Sequence, residues 1–285
     1  MGPTGQVNNN NPSPSSFPVT GGDGLSAHFM FANLNGTISA WDTDATPHIE
    51  ATTSGAVYTG LAISHDGTQL YAANDAGSGS IDVFNSSWGR VTTNGFATPG
   101  AISSRGLVPF NVQDINGQVY VTYAPAGRSA QATATPGQGA VAIFNEAGVL
   151  QSIVINSPTS ALAAPWGIAL APAGFGEFGG DLLVGNFSFV DSEINAYNPT
   201  TGACLGTIPV DPGSGQTPGG LWSLNFGIGG SNDDPGTLYI TDGIDGETHG
   251  LFAAIDPVPE PSGLALLATA LALFGVRRAR SRRRA

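Results

Sequence analysis

Lysine is missing from all 285 residues, and only three of the nine arginines, Arg90, Arg105 and Arg128, fall within residues 1–258. Against those three stand 20 acidic residues in the same stretch, a formal charge of −17. Phosphate is held by clustered Lys and Arg, so no nucleic acid is expected as a partner. Anionic polysaccharide would be repelled unless divalent cations bridged it. A lone cysteine, Cys204, excludes an internal disulfide and a cysteine-based zinc site, and its simplest expected role is a small buried hydrophobe. The four histidines, His28, His48, His65 and His249, show no metal-ligand spacing. Also missing are a Gly-x-Ser-x-Gly elbow, a His-Glu-x-x-His pair, a phosphate-cradling loop and a dinucleotide fingerprint. Gly213-Ser214-Gly215-Gln216 reads as a turn, because its glycines join no strand to a helix.

The end of the chain is the clearest feature present. Val258-Pro259-Glu260-Pro261 leads into an uninterrupted apolar run, Gly263 to Val276, and then into Arg277, Arg278, Arg280, Arg282, Arg283 and Arg284. Fourteen helical residues cover about 21 Å, a marginal span of a hydrocarbon core of about 30 Å. Moving six arginines through the bilayer centre would cost about 15 to 20 kcal/mol, so they stay on the cytoplasmic side and residues 1–258 are expected outside. Pro259-Glu260-Pro261, a short apolar helix over 263–276 and a basic cluster led by Arg277, Arg278 and Arg280 together resemble the PEP-CTERM sorting signal of Gram-negative bacteria. The resemblance implies export, an inner-membrane intermediate anchored by the C-terminal helix, an exosortase-type processing enzyme as partner, and delivery to the cell envelope or extracellular matrix. The expected division is therefore a body over 1–256 and a sorting tail over 257–285.

The body repeats. Five segments share one plan: a Gly-containing apolar strand, a second strand ending in Asn or Asp, a third ending in an aromatic and Asn or Asp, and a weaker fourth. Starts at Pro3, Tyr58, Pro109, Pro165 and Gly220 are separated by 55, 51, 56 and 55 residues. Second strands read 29–33, 70–74, 119–123, 182–186 and 238–242; third strands read 38–42, 81–85, 141–145, 194–198 and 251–255. These runs are rich in Val, Ile, Phe and Tyr and are punctuated by Gly, Asn, Asp and Ser, with no competing helix pattern. Four strands in a unit of about 50 residues predict the blade of an all-β propeller, since blades around an axis cover one another's faces. A β-sandwich is the rival, but it has no reason to repeat its third-strand ending on schedule.

The blocks Gly60-Leu61-Ala62, Val108 to Val112, Pro165 to Gly176 and Leu182 to Phe187 resemble an uncharacterised family of exported bacterial propeller-like proteins, many with the same tail. That likeness implies architecture and no chemistry. Exported relatives open with a signal peptide and a further blade, whereas Met1 here leads straight into Gly2-Pro3-Thr4-Gly5. The expectation is a chain shortened at its front, with five blades visible and six when complete.

Two sets of residues invite a functional reading. Asp242, Asp245 and Glu247, in a Gly-rich loop, are candidate calcium ligands, although their spacing matches no EF-hand or nonapeptide motif and a solvated loop is the simpler account. Phe110, Trp166 and Trp222 on the innermost strands are candidate channel-lining residues, with inter-blade packing as the alternative. Asn33, Asn74, Asn186 and Asp242 recur at one blade position, where Asx side chains start turns. The expected function is a non-catalytic display or binding module that takes a matrix polysaccharide, a protein or a cation. The alternative is an exported lactonase-like hydrolase using channel carboxylates and calcium, which rests on analogy of fold alone.

Overall fold

A computed structural model describes residues 2–11, 13, 15–92 and 95–257. Pro259, Glu260, Pro261, Arg277, Arg278, Arg280 and the apolar run 263–276 lie outside the described residues. Within them no helix is long and apolar enough to cross a membrane.

Five antiparallel sheets follow one another along the chain. Blade one is β1 (Pro3–Asn8), β2 (Phe29–Asn33), β3 (Thr37–Trp41) and β4 (His48–Thr52); blade two is β5 (Tyr58–Ile63), β6 (Gln69–Asn74), β7 (Ser80–Asn85) and β8 (Arg90–Val91). Blade three is β9 (Leu107–Ile115), β10 (Gln118–Pro125), β11 (Ala140–Asn145) and β12 (Leu150–Ile155); blade four is β13 (Pro165–Leu170), β14 (Leu182–Asn186), β15 (Glu193–Tyr197) and β16 (Cys204–Pro209). Blade five has three strands, β17 (Leu221–Phe226), β18 (Leu238–Ile244) and β19 (His249–Ile255). Each is a simple meander. Two short helices, α1 (Gly100–Ser103) and α2 (Arg128–Ala132), interrupt the loops around blade three.

Both faces of a central blade are buried, which is why its strands read as continuous apolar runs rather than alternating ones. In β6, Leu70 and Ala72 pack toward blade one while Tyr71 and Ala73 pack toward blade three. Side-chain alternation thus feeds two cores from one strand. Fully burying each such Leu or Val contributes about 1.5 to 3 kcal/mol. Gly60 marks a close approach between blades: a Cβ there would come within 2.9 Å of Asn111 Cα. Cys204 sits on the outermost strand of blade four and is exposed, not the buried hydrophobe expected of it, because fourth strands face solvent.

Four apolar cores join successive pairs of blades, from one and two through to four and five. Among the described residues no equivalent core joins blade five to blade one, and β1 and β17 do not pack together as the other inner strands do. The ring therefore has a seam. Tyr239 and Phe252 stack on its blade-five wall, 6.0 Å apart, and Phe29 and Trp41 on its blade-one wall, 6.1 Å apart. Phe252 is 72 % exposed, whereas Ile194, which holds the corresponding place in blade four, is 0 % exposed.

Candidate functional site

The inner strands β1, β5, β9, β13 and β17 surround an axial channel of about 890 Å³. One end is closed by aromatic rings. The indole of Trp166 reaches from blade four to blade two, where its Nε1 donates to Thr59 O at 2.7 Å, and its own carbonyl accepts Asn111 Nδ2 at 2.7 Å. Trp222 meets Trp166 edge-on at 5.4 Å, and Phe187 packs against Trp222 at 5.0 Å and Phe110 at 5.5 Å. Arg128, carried on α2, places its guanidinium 5.3 Å above Phe187 and pairs with Glu247, whose Oε1 accepts Trp222 Nε1 at 3.0 Å. That strap ties blade three to blade five beneath the ring.

Trp166 and Trp222 are among the residues that line the channel. Phe110 is not: it is buried in the aromatic layer beside Phe187, while its neighbour on the strand, Asn111, turns to the channel together with Gln113. Alternation along β9, which composition cannot resolve, separates them.

The walls carry amides and hydroxyls, among them Gln6, Asn8, Gln113, Asn116, Ser223, Asn225 and Thr241. Asp114 is the single carboxylate among the lining residues, in a body otherwise dense in acid. Its Oδ1 accepts Gly117 N at 2.9 Å, and its Oδ2 is buried without a hydrogen-bond partner. Burial pushes its pKa up to about 6, helped by the nearby Glu146 carboxylate. Glu146 in turn accepts the His65 backbone N–H at 2.7 Å.

Asp242, Asp245 and Glu247 are neighbours that do not converge, and no group of three or more His, Cys, Asp and Glu able to hold a metal occurs among the described residues. Asp242 is buried near Ser192 Oγ, Asp245 accepts Thr217 N at 3.2 Å, and Glu247 is spent on Arg128 and Trp222. The hairpin between β18 and β19 points the three carboxylates at three partners. The recurrent Asx residues are likewise taken up by the backbone: Asn74 Oδ1 accepts Val57 N and Ala76 N, and Asn186 Oδ1 accepts Ala163 N.

Fold and channel place the chain in the class of all-β propellers, here with five sheets. No protein-family model matches it, nor does any curated protein. Solved structures resemble it at the level of the fold. A chain of a nidogen/laminin complex, 13 % identical, covers 80 % of this chain and 73 % of its own length at a TM-score of 0.51. A protein of unknown function from Bacteroides caccae (13 %, 80 % and 72 %, TM-score 0.47) and the Dos1 propeller (10 %, 83 % and 60 %, TM-score 0.46) are also similar. Likeness at such identities extends to architecture alone.

Proposed function

We propose that the protein is an exported, non-catalytic propeller that binds its ligand in the axial channel after a PEP-CTERM-type tail has delivered it to the envelope or matrix. The observation that carries the binding reading is the channel itself, closed by Trp166 and Trp222 at one end and walled largely by amides and hydroxyls, with Asp114 its one carboxylate. Indole faces beside carboxamides suit a neutral polar ligand, such as a matrix polysaccharide, better than an anion or a metal. Support for export comes from the order Pro-Glu-Pro, apolar run, arginine cluster. A sixth sheet completes the ring at the seam; the support is that positions buried between interior blades, such as Ile194 and Leu183, recur there as the accessible Phe252 and Tyr239. The lactonase-like reading needs several channel carboxylates around an axial calcium, and Asp114 alone gives it no footing.

Titrating the full chain with neutral and with acidic polysaccharide, following tryptophan emission, tests the channel. A saturable change with the neutral polymer that is lost in a Gln113→Arg, Asn116→Arg variant is expected; binding indifferent to those substitutions refutes it. For the tail, replacing Pro259 and Glu260 by Ala should leave an unprocessed membrane-bound precursor, and normal processing would refute the sorting reading.

A further inference from the structure

Asp42 follows β3 at the place where blades two, three and four carry Asn85, Asn145 and Asn198. In each, one side-chain oxygen accepts backbone N–H groups of the next turn. Asp42 Oδ1 takes Thr43 N at 2.6 Å and Asp44 N at 2.9 Å, much as Asn85 Oδ1 takes Ser87 N at 3.0 Å and Gly89 N at 2.9 Å. Turn formation accounts for that oxygen and leaves the other unexplained. Asp42 is 1 % exposed, and its Oδ2 is buried with no hydrogen-bond partner.

What it faces is a second carboxylate. Asp42 Oδ2 lies 2.5 Å, and Asp44 Oδ2 3.0 Å, from the point that a Cβ on Gly22 would occupy. Both oxygens therefore converge over a glycine in the loop Thr20-Gly21-Gly22-Asp23-Gly24, with the Asp23 carboxyl beside Asp42. Glu50 Oε1 closes the loop's other side by accepting Thr20 N at 2.8 Å. The base at hand is His48, whose Nε2 lies 3.1 Å from Asp44 Oδ2. No other positive side chain answers this charge among the described residues. Lysine is absent, Arg90 is paired with Asp82, Arg105 binds the Gly139 carbonyl and Asn156, and Arg128 is paired with Glu247.

We infer that blade one binds a hard divalent cation, of the calcium class, between Asp42 and Asp44 above Gly22. Calcium takes about six to eight oxygens from carboxylates, backbone carbonyls and water, and the site offers oxygen donors without a thiolate. Asp42 and Asp44 supply the charge, and loop carbonyls and water complete the shell, consistent with the absence of a preassembled set of three side-chain ligands. The cation would fasten the loop 20–24 to the outer end of blade one. It is independent of the channel reading.

Trp41 provides the probe, since its Nε1 donates to Asp44 O at 2.6 Å and its ring is therefore beside the site. Exciting tryptophan in the full chain with Tb³⁺ should give sensitised terbium emission that Ca²⁺ displaces, and Ca²⁺ alone should raise the melting temperature. Asp42→Asn keeps the turn that Asn serves in three other blades, so it should fold yet lose more than about ten-fold in Ca²⁺ affinity. Asp242→Asn should leave Ca²⁺ affinity unchanged. Trp41→Phe should remove the emission while calorimetric binding persists. Unaltered Ca²⁺ binding in folded Asp42→Asn, no saturable binding in the wild type, or loss of binding in Asp242→Asn instead would each overturn the assignment.

Discussion

Asp242→Asn should stabilise this propeller at neutral pH. The residue is 2 % exposed, burial is the largest influence on it, and its pKa is pushed up to about 6 from an ordinary 3.8. A carboxyl whose pKa is raised by folding is most compatible with the fold when protonated, so its contribution is favourable below the unfolded value and is lost as pH rises through about 6. The shift of about two units corresponds to an upper bound of about 3 kcal/mol at pH 7, and to a gain of about 1 kcal/mol on moving from pH 7 to pH 5. An amide removes the ionisation penalty and keeps the acceptor oxygen. Its N–H groups then need the partner that Oδ2 now lacks, so about 1 to 2 kcal/mol of the gain should survive. The register supports the exchange: Asp242 pairs with Leu221 as Asn186 pairs with Pro165, and Asn186 donates to Ala161 O at 2.9 Å. Urea denaturation of both proteins at pH 7 and pH 5 is the assay. Wild type should gain stability on acidification, and the variant should gain less, with Asp114 and the other carboxyls that burial pushes up, Asp75, Asp191 and Glu193, supplying the remainder. A variant less stable than wild type at pH 7, or a wild type that weakens between pH 7 and pH 5, would refute the reasoning.

Other predictions concern packing. Gly60→Ala would drive a methyl group into Asn111 at the contact of blades two and three, and should cost about 1 to 3 kcal/mol by chemical denaturation. Trp166→Phe leaves the Thr59 carbonyl without its 2.7 Å donor, and a loss of about 1 to 3 kcal/mol is expected, with no loss arguing against the indole as a tie between blades. Ile194→Ala should cost about 2 to 5 kcal/mol, because the side chain is fully buried between blades four and five. Phe252→Ala, at the matching place on the seam, should cost about 0.5 kcal/mol or less while the seam is open; an equal cost at both places would mean that Phe252 is covered in solution.

Much of the architecture was legible because local rules control it. Expected strands such as 29–33 and 182–186 match β2 and β14, and the aromatic-plus-Asx endings mark where third strands stop. The candidate site was legible only in part. Trp166 and Trp222 were singled out as aromatics on the innermost strands, but Phe110 fits the same description and is turned away from the channel. Asp242, Asp245 and Glu247 were grouped by closeness in sequence, and the hairpin separates their carboxylates. Asp42 and Asp44 passed unnoticed because Asp42 also reads as an ordinary turn residue. The signal available was an Asp-Thr-Asp run with no lysine or arginine near it and a Gly-Gly-Asp-Gly run upstream.

By itself the sequence determined the class of fold, the number of repeats and the separation of an acidic body from a basic tail, since strand periodicity, turn residues and charge act over a few neighbours. Only the tertiary structure decided which face of each strand meets which blade, where the ring leaves a seam, and which polar atoms come together. Those outcomes depend on contacts between residues tens of positions apart: Trp166 meets Thr59, and Asp42 and Asp44 meet Gly22, only because five sheets pack around one axis and loops fold back over their ends.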